Sequence, residues 1–346
     1  MERFDDPRAG CAGYNLIELV ISSVLLAMMV FAVATLSVRG GEAQDYARRL
    51  NRATEINQEL VDGIRLELVS SVRLFGNDAE GLANLAVFDL SGAPTPLVGS
   101  RLPTVSDAET IRKDTLGDEI TGNALFFTKL AWSDRFQCTS TNEYLVEVYR
   151  WVLYYLTPEE GGPAPGSPLG LNIVRVLGEP MIDADSIDRI TDPTDQAEVL
   201  LHLHDATPDA TGATHAPAEV VWRRGALPSV TGTLRQIDGS SGTLSDVPID
   251  GRPNPWQILR AESDVRGLLS YRHHSIATVH AQDSWGVSRF GLESLAGSGF
   301  PHGFEIQVVG PSSARQVLLH SVVASTRRSG FWAWSDMQVV VDARDL

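Results

Sequence analysis

From Leu19 to Val38 the chain carries neither a charge nor a proline, and a single carboxylate, Glu18, stands at the entrance to this run. At about 1.5 Å per residue, a helix over these positions is roughly 30 Å long, the thickness of a bilayer's hydrocarbon core. The segment predicts a membrane-spanning helix. An ionisable group near the bilayer centre costs about 2.5–3.5 kcal/mol, so an acid on such a helix calls for an assigned partner.

The residues before the run, Met1–Gly13, are polar and end in a small residue. An ordinary secretory signal has its small cleavage residue after the apolar stretch, whereas a cut after Gly13 would leave the span on the mature chain. The sequence Gly13-Tyr14-Asn15-Leu16-Ile17-Glu18-Leu19-Val20 resembles the start of type IV pilins and type II secretion pseudopilins. It has their glycine, an aromatic residue, a short polar residue, and then Leu-Ile-Glu-Leu-Val. The resemblance implies that a membrane prepilin peptidase cuts between Gly13 and Tyr14 and that Tyr14 becomes a methylated amino terminus. It also implies that Glu18, the fifth mature residue, neutralises the terminal amine of a neighbouring subunit. Two groups that are each costly in lipid become tolerable as a pair, and loss of either strands the other.

On this resemblance the chain is expected to be a minor pilin or pseudopilin, a structural subunit of a type IV pilus-like filament and not an enzyme. The implied location is single-pass in the inner (cytoplasmic) membrane, with the head outside the cytoplasm, and in a pilus or pseudopilus after assembly. The implied partners are other pilin or pseudopilin subunits, the prepilin peptidase and the assembly platform. A type II secretion or DNA-uptake system remains an alternative setting, as does a membrane-anchored envelope enzyme or binding protein exported by the same signal. Orientation rests on the resemblance, because Arg39, Arg48, Arg49 and Arg52 follow the span and do not mark an inside amino terminus.

The net charge of −16 over 346 residues argues against nucleic acid as a partner of the head, since phosphate binding needs a basic surface. The two cysteines are Cys11 and Cys138. Cleavage after Gly13 would discard the first and leave Cys138 without a disulfide partner, to be read as a small buried hydrophobe.

No proline occurs between Pro7 and Pro94, and Tyr46, Leu50, Ala53, Ile56, Leu60, Ile64, Leu68 and Val72 recur at three- and four-residue steps. That is one stripe of an α-helix. The expected helix continues over 39–75, is broken or bent at Gly40-Gly41 and stops at Gly76-Asn77-Asp78. Beyond it, β-branched and aromatic runs predict strands at Ala124–Trp132, Tyr144–Leu156, Leu171–Leu177, Val199–His204, Glu219–Arg224, Gly232–Ile237, Phe304–Val309, Val317–Ser325 and Met337–Val341. Polar breakers such as 158–168 and 238–242 divide them. The expected organisation is a leader over 1–13, a transmembrane and assembly helix over 14–38, its amphipathic continuation over 39–75, and a β-rich head over 76–346. In fold class this is α+β, a long N-terminal helix packed on a mainly antiparallel sheet.

No Gly-x-Ser-x-Gly elbow, His-Glu-x-x-His helix or phosphate loop occurs, and the lysines are Lys113 and Lys129. No catalytic, metal or cofactor residue is assigned. His202 and His204 would share one face of a strand beside Asp205, but two imidazoles without a third ligand are ordinary strand residues. Asp183, Asp185, Asp188, Asp192 and Asp195 cluster in an expected loop, the one place where calcium is weighed; the spacing lacks the glycine and terminal glutamate of an EF-hand. Trp332 and Trp334, beside Phe331, read as aromatics packed on a sheet face in preference to an exposed contact stripe.

Overall fold

The computed structural model describes residues 15–97, 99–108, 110–111, 120–158, 171–206, 220–222, 233–248, 254–259, 262–263, 273–277, 303–327 and 330–345. Gly13, Tyr14, Cys11, Lys113 and most of the proline-rich stretch 158–168 lie outside them. Two compact units are present, Met1–Arg49 and Leu50–Leu346, and helix α1 (Leu16–Val69) contributes residues to both.

In the first unit, every large apolar side chain from Leu16 to Val38 is exposed, Phe31 by 75%. Two hydroxyls in this stretch bond to their own helix. Ser23 Oγ donates to the carbonyl of Leu19 at 2.7 Å, and Thr35 Oγ1 to that of Phe31 at 2.8 Å. Hydroxyls satisfied in this way can sit in an apolar medium. The helix is not broken at Gly40-Gly41: α1 passes through both glycines.

In the second unit the stripe Ala53, Ile56, Leu60, Ile64 and Leu68 is buried, each large side chain contributing about 1.5–3 kcal/mol of apolar burial. The helix ends at Val69, and Ser71–Phe75 forms strand β1. This corrects the expected helical run to residue 75. Ser70 closes the last turn, its N–H and hydroxyl both donating to the carbonyl of Glu67. The four-residue step from Leu68 to Val72 fits a buried strand position equally well, since Val72 and Phe75 pack in the core as β1 pairs with strand β3 (Leu125–Gln137).

The sheet is built on β3, β4 (Glu143–Pro158) and β5 (Leu171–Asp183). Its other members are β2 (Val105–Ser106), β6 (Val220–Trp222), β7 (Thr233–Asp238), β8 (Thr243–Pro248), β9 (Trp256–Leu259), β10 (Glu262–Ser263), β11 (His273–Ile276), β12 (Phe304–Val309), β13 (Arg315–Arg327) and β14 (Gly330–Ala343). Along its main path the order is β1-β3-β4-β5-β11-β13-β12-β2, with β14 on β13 and the β6–β8 ribbon and β9 on β5. Among the described residues pairing is antiparallel except at β5–β6 and β12–β2, so the architecture is a long apolar N-terminal helix and a mostly antiparallel sheet. Period-two alternation gives the sheet two buried faces. On β4, Val152, Tyr154 and Leu156 join the α1 stripe, while Trp151, Leu153 and Tyr155 join Phe75, Phe88 and Phe126 on the other face. The residues following β14 lie against β1. Ser71 Oγ donates to the carbonyl of Arg344 at 2.9 Å, and the Leu74 N–H donates to Asp345 Oδ1 at 3.2 Å.

Three further α-helices are present among the described residues, α2 (Ala79–Val87), α3 (Ala184–Asp188) and α4 (Pro193–Ala206). The last replaces the strand expected at Val199–His204. Its buried positions Asp195, Val199, Leu200 and Leu203 follow helical spacing, and Pro193 stands at its first position, where a missing N–H costs nothing. The apolar-polar alternation of Leu201-His202-Leu203-His204 is incidental to it. The five aspartates do not converge in a loop. Asp183 caps α3, Asp188 pairs with Arg235 at 3.2 Å, Asp192 accepts from the Thr194 N–H, and Asp195 is buried on α4.

Candidate functional site

Glu18 lies in the first turn of α1, exposed, its backbone N–H donating to the Asn15 carbonyl at 2.8 Å. An acid is favoured there by the positive end of the helix dipole. No described side chain pairs with its carboxylate. The helix is long and apolar enough to cross a membrane, and none of its most apolar window is buried. With that helix in lipid, an acid near its apolar surface would call for a counter-charge.

In the second unit, Glu67 near the end of α1 receives Arg175 of β5, Lys129 of β3 and the Tyr154 hydroxyl of β4. Burial opposes its ionisation, but hydrogen bonds from Arg175, Lys129 and Tyr154 outweigh that and hold the carboxyl down at about 2. Burial, the Glu67 charge and the hydrogen bond to it push the Tyr154 phenol far above its ordinary value. All four groups are consumed in holding α1 to the sheet. The Lys129 signal was present in the sequence as one of two lysines, but nothing in it named Glu67 as the partner.

His320 of β13 is buried between two carboxylates, its Nδ1 2.6 Å from Glu305 Oε2 and its Nε2 2.9 Å from Asp336 Oδ1. Burial disfavours the imidazolium, but the contacts with Asp336 and Glu305 prevail and raise its pKa to about 9. The charged ring bridges β12, β13 and β14. Sequence reading missed this triad because its members are joined only by strand register.

The two histidines singled out from sequence do not share a face. His202 stacks on Phe136, ring centroids 4.3 Å apart, with Nε2 3.4 Å from Asp134 Oδ2. His204 lies beside Asp205 and against Gly239. Phe331 and Trp332 side chains lie outside what is described, and Trp334 is half-buried. Cys138 is buried as expected, but its setting is acidic. Its sulfur and one carboxylate oxygen each of Asp195 and Glu198 all lie within 4.8 Å of one another. Asp195 and Glu198 are three apart on α4, a spacing hidden while Asp195 is read in a loop and a strand is expected from Val199.

Compared with known proteins, the chain matches no family model, no curated protein and no solved structure.

Proposed function

We propose that this chain is a minor pilin or pseudopilin, a structural subunit that enters a membrane-derived filament through residues 14–38. The observation that carries this reading is the pairing of the Gly13–Val20 octapeptide with a continuous helix whose apolar residues from Leu16 to Val38 are all exposed. A helix of that kind needs lipid or other helices around it. Cleavage after Gly13 would create an ammonium at Tyr14, and Glu18 of an incoming subunit would pair with the ammonium of one already in place. In an apolar bundle the pair is tolerated where either charge alone is not, so pairing selects one register between subunits. The sheet unit serves as the head, carried outside the cytoplasm, and its role is contact with other subunits and not catalysis.

Mass spectrometry of the mature amino terminus in sheared filaments tests the reading. A methylated Tyr14 is expected. Glu18→Ala should be cleaved normally and should enter filaments poorly. An intact Met1 in a protein confined to the membrane, or normal assembly of the variant, would overturn it.

A further inference from the structure

The turn between β3 and β4 presses Cys138 onto the first turns of α4. The Cys138 N–H donates to the Asn142 carbonyl at 2.8 Å, closing the turn, and the thiol points to the Asp195 carbonyl at 3.8 Å. Asn142, Tyr144 and Thr139 orient the two acids on α4. Asn142 Nδ2 and the Tyr144 hydroxyl donate to Asp195 Oδ2 at 2.8 and 2.9 Å. The Thr139 N–H donates to Glu198 Oε2 at 2.8 Å, and the Thr139 hydroxyl donates to Oε1. Outer hydrogen bonds of this kind fix carboxylates that ligate metals.

One ligand atom is left over. Asp195 is fully buried, yet its Oδ1 makes no hydrogen bond. The Ser140 hydroxyl is close enough to help hold the carboxyl below its ordinary range but has no hydrogen-bonding geometry to Oδ1. Nor is the charge balanced: among the described residues no arginine, lysine or histidine forms an ion pair with Asp195 or Glu198. A buried carboxylate oxygen without a donor is costly, and a cation offsets both deficits.

We propose that Cys138, Asp195 and Glu198 form a site for one divalent cation of the zinc class, bound by a thiolate and two carboxylate oxygens. Sulfur selects a borderline metal over calcium or magnesium, which take oxygen ligands in larger number. Burial and the two acids push the metal-free thiol up to about 11, so it is protonated. On binding, the sulfur–metal bond forms as the thiol proton passes to solvent. The cation would tie the β3–β4 turn to α4, and a fourth position stays open to water or to a donor from another molecule. This assignment is independent of the filament reading.

The test uses the full chain in detergent, stripped with chelator and loaded with zinc, cobalt or calcium. One zinc per chain should survive gel filtration, and cobalt should give a thiolate charge-transfer band. Cys138→Ser should abolish that band, and Glu198→Gln should weaken zinc binding by about tenfold or more. No retained zinc, a band that persists in Cys138→Ser, or equal retention of calcium and zinc would overturn the proposal. If Cys138→Ser does not fold, Glu198→Gln decides: unchanged zinc affinity overturns the site.

Discussion

Arg175 grips Glu67 with two parallel hydrogen bonds, Nε to Oε2 at 3.0 Å and Nη2 to Oε1 at 2.6 Å. This fork joins β5 to the end of α1, and Lys129 and Tyr154 complete the shell around the same carboxylate. Removing the acid would leave two cations partly buried without their counter-charge. Glu67→Ala should therefore cost about 3–5 kcal/mol in urea unfolding of the detergent-solubilised chain. The folded carboxyl titrates at about 2, below its ordinary value of 4.5. Its contribution should be complete above about pH 4.5 and lost as pH falls toward about 2, so the gap between wild type and Glu67→Gln should close over that window. A gap independent of pH would refute the ionic account.

His320 is expected to give the opposite dependence. Its folded pKa of about 9 lies above the ordinary 6.5 because Asp336 and Glu305 outweigh the burial that disfavours its charge. The stabilisation should be fully present below about pH 6.5 and vanish as pH rises through about 9. Unfolding midpoints of wild type and His320→Gln, compared at about pH 6 and about pH 9.5, should differ at the first and converge at the second. Midpoints that differ equally at both would show that the ring acts by packing alone.

Asn57 tests how α1 is held in register on the sheet. It is fully buried, and its Nδ2 donates to the carbonyls of Ser321 and Ser335, both at 3.1 Å, while its Oδ1 accepts from the Ser321 hydroxyl. Asn57→Leu keeps the number and branching of the side-chain heavy atoms but strands those partners in a dry site. Each orphaned group costs about 1–3 kcal/mol, so the unfolding free energy should fall by at least about 2 kcal/mol. A neutral substitution would mean that water replaces the amide.

The strands at Phe304–Val309, Tyr144–Leu156 and Val317–Ser325 could be read from the sequence because their β-branched and aromatic runs are long and bounded by breakers. Observed strands cover or extend each of them. The α1 stripe from Ala53 to Leu68 was legible for the same kind of reason, a sustained helical period. What misled was local ambiguity: Val72 fits both a four-residue step and a buried strand, and alternating Leu and His at 201–204 imitates a strand within α4. Short strands such as β9 and β11 escaped because their pairing is set by long-range register. The clusters at Glu67, His320 and Asp195 escaped for a related reason. Members of the Glu67 and Asp195 clusters come from elements far apart in the chain, while the His320 triad lies on three consecutive strands whose register no spacing rule supplies.

Gly40 and Gly41 show two helix-weakening residues that do not break α1. Each glycine inside a helix costs about 0.5–1 kcal/mol relative to alanine, through the larger freedom of the unfolded backbone. That cost predicts a break, yet α1 runs from Leu16 to Val69 without one. The favourable residues on both sides outweigh two weak positions, since helix formation is cooperative once nucleated. A Cβ built at either glycine meets no atom within 4 Å, so alanine has room at both sites. Gly40→Ala/Gly41→Ala should raise the helical content of the chain in detergent, or leave it unchanged if the helix is already fully formed, and should slow amide exchange across residues 37–45 by about tenfold. Faster exchange there, or reduced helicity, would mean that the glycines serve a bent conformation after all.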